Sequence, residues 1–176
     1  MQRIPGLTEL IDRYDLFIVD LWGVMHHGGQ ILPDARQLAQ AMVEAGKPPQ
    51  FLSNAPRRVS IVQKQLLDRG LTPDQAQLVH TSGEEGWQYL LDNPLNWETG
   101  FVFEPDADAD EMHQGLPMTF SHDVEAADFA LVIGVPPTVK DLDAYKPRLE
   151  AMAKQNMPLV CVNPDRWVRG GDKLYI

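Results

Sequence analysis

The hydrophobic positions of the chain alternate between short apolar runs and stretches with helical spacing. Residues 16–19 predict a short strand that is buried on both faces, as in the middle of a parallel sheet. A helical pattern then begins at Pro33 and stops at Gly46. Residues 48–52 predict the next strand. A strand, a helix and a strand in this order indicate a parallel, right-handed crossover unit.

The same alternation continues to the end of the chain. Asn93-Pro94 breaks a helical pattern, and a new series of strands and helices begins after it. We therefore predict an α/β protein with a core at residues 1–93, a second α/β layer at 94–165 and a return segment at 166–176. Further helices are expected at 5–14, 56–70, 84–91 and 140–155, and further strands at 78–80, 101–103, 129–133 and 159–162.

Composition restricts the class of protein. The 176 residues, 44% hydrophobic and 23% charged, are ordinary for a globular protein with a sizeable core. The net charge of -10, with Arg57-Arg58 as the only basic pair, argues against binding to nucleic acid or to an anionic membrane. The single Cys161 excludes an internal disulfide and fits a reducing compartment. No apolar run approaches the roughly 20 residues of a membrane span, so we expect a cytoplasmic protein.

Asp20 is the first candidate for chemistry. It follows the first predicted strand, and Gly23 lies just beyond it. Ligands of open α/β sheets bind at the carboxyl ends of the strands, and a glycine there allows the backbone to approach a ligand closely. The carboxylate is a candidate nucleophile or metal ligand. The alternative is that Asp20 caps the turn that follows.

Ser53 and Asn54 end the second predicted strand in a similar way. If the two strands are neighbours, Ser53 lies beside Asp20. The Ser53 hydroxyl, the amides that follow it and the N-terminus of a helix from about Pro56 would then form an anion site. Capping of that helix by the same two side chains is the alternative.

Two polar stretches suggest metal ligands less strongly. Residues 24–29 are too polar and glycine-rich for a helix and predict a flap, in which His26 and His27 ligate a metal, contact a substrate or lie at the surface. Acidic residues cluster at 106–111 but lack the glycine and the distal glutamate of a calcium loop. We interpret this cluster as the solvated start of a helix.

Three segments, taken together, resemble the signatures of the haloacid dehalogenase superfamily, in the subgroup of nucleotide and pyridoxal phosphate phosphatases. They are residues 16–24 around Asp20, residues 51–57 around Ser53, and Val162-Asn163-Pro164-Asp165. The resemblance implies a three-layer, Rossmann-like core, present here in part, with an inserted α/β cap at 94–165. It also implies that Asp20 attacks phosphorus and that Asp20 and the backbone carbonyl of Trp22 bind Mg²⁺. Phosphate would be bound by Ser53, Asn54 and Gly23, and the substrate or the cap would be contacted by His26, Asn163 and Asp165.

The chain departs from the superfamily pattern in two respects. Trp22 stands where the phosphatases have the aspartate that acts as general acid and base, a function typically worth about 10² to 10⁴ in rate. The lysine and the second acidic signature of the superfamily are missing, and Lys173 lacks the context to replace that lysine. We therefore interpret the chain as a fragment or an unusual truncation. We expect the 176-residue form to bind magnesium poorly and to be inactive.

The resemblance leads to one main hypothesis and two alternatives. The main hypothesis is Mg²⁺-dependent hydrolysis of a small phosphomonoester, such as a sugar, nucleotide or cofactor phosphate, through an aspartyl-phosphate on Asp20. The alternatives are an impaired module that binds a phospholigand or a protein, and a hydrolase of the superfamily that acts at carbon. The expected partners are a small phosphorylated metabolite and a second copy of the chain. The apolar strand 101–103 offers a pairing surface for such a homodimer through the cap.

Overall fold

The structure, a computed structural model, describes residues 6–103, 111–134 and 142–165, and the backbone of 168–170 and 173–175. The chain forms two compact units: Met1–Ser53 with Val59–Thr81, and Asn54–Arg58 with Ser82–Ile176. Each unit contains a parallel sheet with helices, which confirms the predicted α/β class. The domain boundaries predicted at 93/94 and 165/166 stay a prediction. None of the described helices has the length and apolar character needed to cross a membrane.

The first unit is organised around a small parallel sheet. The strands of the first unit are β1 (Ile18–Val19), β2 (His26–His27), β3 (Gln30–Ile31), β4 (Gln50–Ser53) and β5 (Val79–Thr81). Strands β1, β4 and β5 pair in parallel in the order β1-β4-β5, as the predicted crossover requires. Strands β2 and β3 form an antiparallel hairpin at the position of the predicted flap.

The helices of the first unit are α1 (Pro33–Glu44), α2 (Val59–Asp68) and the short α3 (Pro73–Ala76), after an initial 3-10 helix at Leu7–Arg13. Helix α1 begins at Pro33, and Gly46 follows it with a φ of 73°, as predicted. Helix α3 was not predicted. Its signal was in the sequence, because the side chains of Thr72 and Gln75 form a reciprocal capping box.

The prediction that residues 16–19 form a strand buried on both faces is wrong. Side chains alternate across a strand, and Phe51 on one face of the sheet is completely buried. On the opposite face Leu16 is 59%, Ile18 66% and Leu52 55% exposed. Within the described residues, helices therefore cover this sheet on one face.

The second unit contains helix α4 (Ser82–Asp92), four parallel strands and helix α5 (Lys146–Lys154). The strands are β6 (Thr99–Val102), β7 (Thr119–Ser121), β8 (Phe129–Val132) and β9 (Leu159–Cys161), in the order β7-β6-β8-β9. An antiparallel hairpin, β10 (Val168–Gly170) and β11 (Lys173–Tyr175), lies in the predicted return segment. Strand β7 was not predicted, and the acidic residues 106–110 lie outside the described residues.

The sheet of the second unit has a core on each face. Leu90 of α4 packs with Val102 and Leu131 on one face, whereas Met152 of α5 packs with Phe101 on the other. Strand β6 lies between β7 and β8, and Phe101, Val102 and Phe103 are all buried. The expectation that residues 101–103 form a pairing surface is therefore wrong, because this strand is internal. The homodimer itself stays a prediction.

Asp128 connects the beginnings of strands β6 and β8. Its Oδ2 accepts hydrogen bonds from the backbone amides of Glu98 at 2.8 Å and Thr99 at 2.9 Å. Its own amide donates to the carbonyl of Thr99 at 2.8 Å. The bonds from Thr99 and Glu98 lower the pKa of the Asp128 carboxyl, because they stabilise the charged form. Ionised Asp128 therefore contributes to the stability of this unit.

We predict that Asp128→Ala lowers the free energy of unfolding by about 1 kcal/mol at pH 7, measured by urea denaturation, because two amides lose their acceptor. Because the pKa of Asp128 is lowered in the folded state, the ionised carboxylate contributes its full stabilisation above the ordinary pKa of 3.8. This stabilisation is lost as the pH falls through the lowered pKa. The difference from wild type should therefore shrink in acid. Asp128→Asn keeps an oxygen acceptor and should retain most of the stability at pH 7. A deficit of Asp128→Ala that is equal at pH 7 and pH 3 would contradict this account.

Candidate active site

Two predicted site residues lie at the carboxyl ends of neighbouring strands in the first unit. Asp20 follows β1 directly and Ser53 is the last residue of β4, while Val19 pairs with Phe51. Asp20 is exposed, and its Oδ1 accepts a hydrogen bond from the amide of Leu21 at 2.8 Å. Within the described chain its Oδ2 makes no hydrogen bond, so the carboxylate has an oxygen available. An exposed carboxylate at this edge suits a nucleophile or a metal ligand.

A tight turn follows Asp20 and fixes the backbone around it. The amides of Met25 and His26 donate to the carbonyl of Leu21 at 3.0 and 3.1 Å. The amide of Gly23 donates to the carbonyl of His26 at 2.8 Å, with Gly23 at a φ of 79°, a conformation that favours glycine. This amide is thus already bonded within the turn. The predicted role of Gly23 in phosphate binding stays a prediction.

The turn also leaves oxygen ligands for a metal. Among the hydrogen bonds of the described residues, none is accepted by the carbonyl oxygen of Trp22. Mg²⁺ prefers oxygen ligands and is commonly held by one or two carboxylates together with substrate phosphate and water. The carboxylate of Asp20 and the carbonyl of Trp22 fit this donor set. No cluster of three or more His, Cys, Asp or Glu side chains suited to a metal occurs in the described part of the chain.

The indole of Trp22 packs against two imidazole rings. Its centroid lies 5.4 Å from that of His26, with the rings perpendicular, and 5.7 Å from that of His27, with the rings tilted by 49°. The side chain nevertheless remains 47% exposed. Trp22 therefore has one part of its side chain held by the hairpin and another part open to solvent, two residues after Asp20.

His26 is buried, and its ring is held by Arg69. The Nη1 atom of Arg69 lies 3.1 Å from Nε2 of His26, so the guanidinium donates and the imidazole proton is on Nδ1. Burial, followed by the charge of Arg69, lowers the pKa of His26, although the backbone of Gly28 and the charge of Asp20 act in the opposite direction. Neutral His26 thus supports Trp22. The bond from Arg69 occupies Nε2, which argues against that atom as a metal ligand.

The second unit brings together the other three predicted residues. The side-chain amide of Asn54 donates to the carboxylate of Asp165, and the amide of Asp165 donates to Oδ1 of Asn163 at 3.2 Å. Asn54, Asn163 and Asp165 therefore form one hydrogen-bonded set, although 109 positions of sequence separate Asn54 from Asn163. Their proposed contacts with phosphate, substrate or cap stay predictions.

Residues 54–58 are anchored on helix α4. The carbonyl of Ala55 accepts from the amide of Gly83 at 3.1 Å and from the Ser82 hydroxyl at 3.2 Å. Arg58 forms a bidentate ion pair with Glu84, at 2.8 and 3.0 Å, and its guanidinium lies 3.6 Å from the centroid of the Trp87 ring. These contacts fix the segment that carries Asn54. Helix α2 begins at Val59 and not near Pro56, so its N-terminus does not follow Ser53 directly.

Sequence reasoning missed this anchor. Gly83 and Gly86 both lie in a helix where a better helix former is expected, and that was the available signal. A Cβ atom on Gly83 would lie 2.3 Å from the backbone nitrogen of Arg57. One on Gly86 would lie 2.2 Å from Cγ1 of Val162, the residue before Asn163. Both glycines allow close packing next to predicted site residues.

A sequence profile of the haloacid dehalogenase-like hydrolases matches residues 17–115. The matched segment is more than half of the chain and includes Asp20, Ser53 and Asn54. The chain belongs to the haloacid dehalogenase-like hydrolase family. A search of curated proteins finds no match.

Solved structures share the fold. A haloacid dehalogenase-like hydrolase from Brucella suis 1330 has a TM-score of 0.79 and 25% identity over 98% of this chain and 65% of its own. A p-nitrophenyl phosphatase from Archaeoglobus fulgidus has a TM-score of 0.70 and 18% identity, over 92% of this chain and 59% of its own. A glycerol phosphate phosphatase from Mycobacterium tuberculosis, in complex with magnesium, has a TM-score of 0.67 and 20% identity, over 94% of this chain and 49% of its own. The chain thus spans less than two thirds of each of these proteins.

We predict that Gly83→Ala lowers the free energy of unfolding by about 1 to 3 kcal/mol, because the added Cβ overlaps backbone that cannot rotate away. Chemical denaturation monitored by circular dichroism measures the effect. Gly134→Ala is the matched control in the same unit, since its Cβ meets nothing within 4 Å. Equal stability of Gly83→Ala and wild type would show that residues 54–58 are not packed against α4 in this way.

Proposed function

We propose that the protein to which this chain belongs hydrolyses a small phosphomonoester through an aspartyl-phosphate on Asp20. The observation that supports this best is the exposed Asp20 carboxylate, with a free oxygen, at the carboxyl end of β1 and next to the strand that ends in Ser53. Family membership supports hydrolysis, and the names of the two similar phosphatases support phosphate esters as substrates.

In the proposed reaction an Asp20 oxygen attacks phosphorus and the alcohol of the ester leaves. Covalent catalysis of this kind divides one difficult hydrolysis into two easier displacements. The Ser53 hydroxyl and the amides near Asn54 donate to the phosphoryl oxygens. Asn163 and Asp165 orient the leaving group or the cap, with Asp165 bonded both to Asn54 and to Asn163. When bound by Asp20 and the carbonyl of Trp22, Mg²⁺ offsets the negative charges of carboxylate and phosphate.

Trp22 restricts this chemistry. The indole N–H is a donor with no titration near neutral pH, so Trp22 cannot protonate a departing alkoxide or activate water. This residue also favours the second candidate function, an impaired module that binds a phospholigand without hydrolysing it. The two functions differ in turnover and share the phosphate site.

Several further expectations remain part of the proposal. The activity is proposed for the whole protein, because this chain spans less than two thirds of the similar structures. A small phosphorylated metabolite as substrate, a homodimer through the second unit and a cytoplasmic location are likewise predictions. The single Cys161, which is exposed, is compatible with a reducing compartment.

We predict that Asp20→Asn in the full-length protein abolishes hydrolysis of p-nitrophenyl phosphate in the presence of magnesium, because an amide is not a nucleophile for phosphorus. Release of nitrophenolate measures the rate. Asp12→Asn, which makes the same substitution at an exposed position of the first 3-10 helix, is the control and should keep the wild-type rate. If Asp20→Asn retains most of the activity, the proposed mechanism is wrong. If wild type binds phosphate but shows no turnover, the second candidate function replaces it.

Trp22→Asp tests the missing acid and base. If their absence limits the rate, this variant of the full-length protein should hydrolyse sugar phosphates faster, within the range of about 10² to 10⁴ that a positioned acid contributes. The gain with p-nitrophenyl phosphate should be smaller, because nitrophenolate leaves without protonation. A melting curve must accompany the kinetics. A folded Trp22→Asp protein that is no faster on any phosphomonoester would count against this explanation.

A further inference from the structure

We infer that Trp22 selects phosphate esters of aromatic alcohols, whose leaving group is a phenolate, and disfavours esters of sugars and other aliphatic alcohols. This inference names the substrate class of the proposed function and rests on that function. It depends on where Trp22 lies, on what surrounds Asp20 in the first unit, and on the chemistry that an indole cannot perform.

The indole is a preformed, partly exposed surface on the residue two positions after Asp20. The turn from Leu21 to His26 holds the backbone of Trp22, and the rings of His26 and His27 hold its side chain. His26 is itself buried and bonded to Arg69. A ring fixed in this way loses little conformational entropy when a ligand stacks on its exposed part. Trp22 is therefore suited to bind a planar group.

Two apolar side chains that are near Asp20 in the sequence or in the strand register are exposed. Val24 is 46% exposed, and Leu52 follows Phe51, the partner of Val19, and so lies beside Asp20. Both side chains leave apolar area open to solvent. A sugar would need hydrogen-bond partners for its hydroxyls, whereas an aromatic ring buries apolar area against such side chains. These exposed residues thus favour an aromatic leaving group over a polyol.

The chemistry points to the same class. The attack by Asp20 forms an oxygen–phosphorus bond and breaks the bond from phosphorus to the ester oxygen, which leaves with the electron pair. A phenol has a pKa of about 10, so its anion leaves without a proton donor and takes its proton from water. Water then attacks the phosphorus of the acyl phosphate and releases orthophosphate and Asp20, its protons passing to the solvent. An aliphatic alkoxide is far more basic and leaves slowly without the acid that Trp22 replaces.

The test separates binding of the ring from departure of the leaving group. Benzylphosphonate and cyclohexylmethylphosphonate have the shapes of phenyl phosphate and cyclohexyl phosphate but contain no bond that can be hydrolysed. Their dissociation constants are measured by calorimetry with magnesium, with inorganic phosphate as the reference ligand. The variants are Trp22→Leu and Trp22→Phe in the full-length protein. Tyr14→Leu is the control, because Tyr14 is 56% exposed and precedes β1 at its other end.

We expect wild type to bind benzylphosphonate about three- to tenfold more tightly than cyclohexylmethylphosphonate, the range typical of an aromatic pair. Trp22→Leu should abolish this preference, while Trp22→Phe and Tyr14→Leu should keep it. Equal affinities in wild type, or a preference that survives Trp22→Leu, would overturn the inference. If inorganic phosphate and both phosphonates bind equally well, the phosphate site stands and the aromatic selection alone fails. If none of the three ligands binds, the proposed function fails together with the inference.

Discussion

The parallel pairing of β1 with β4 is the interaction on which the candidate active site depends. Phe51 of β4 is completely buried and pairs with Val19, so the burial of one aromatic side chain holds the register of both strands. A shift of one residue would move every side chain to the other face of the sheet. The observed register places Asp20 at the same edge as Ser53 and on the face that leaves its carboxylate exposed.

The turn after β1 adds chemistry that the sheet alone does not determine. Its hydrogen bonds leave the carbonyl of Trp22 available, and its two histidines hold the indole where the phosphatases of the superfamily have an acid. One replacement thus has two consequences. It removes a proton donor, and it adds a partly exposed aromatic ring two residues after the proposed nucleophile. The proposed preference for leaving groups that are planar and weakly basic rests on both consequences.

The sequence predicted the parts of the fold that depend on local pattern. Helix α1, with Pro33 at its start and Gly46 after its end, and the parallel order of the first two strands are clear in the hydrophobic spacing. The burial of β1 could not be predicted in this way, because an apolar run is the same whether one or two layers cover it. Strand β7 was missed because Thr119–Ser121 is short and polar.

The candidate site was predictable where residues are close in sequence or match a known signature. Asp20, Ser53 and Asn54 belong to this group, and their roles stay predictions. The hydrogen bond from Asn54 to Asp165 was not predicted. The packing of Gly83 against Arg57 and the pairing of Arg58 with Glu84 depend on tertiary contacts. No spacing rule reports such contacts. The hydrogen bond from Arg69 to His26 was missed for the same reason.

The central claim is that Asp20 becomes phosphorylated, and direct trapping of the acyl phosphate tests it. The full-length protein is mixed with an aryl phosphate and magnesium, quenched in acid, and treated with borohydride, which reduces an aspartyl-phosphate to homoserine. Because Trp22 cannot activate water, the acyl phosphate should accumulate, and peptide mass spectrometry should find homoserine at position 20. Unmodified Asp20 in protein that is releasing phosphate, or homoserine at another aspartate, would contradict the account.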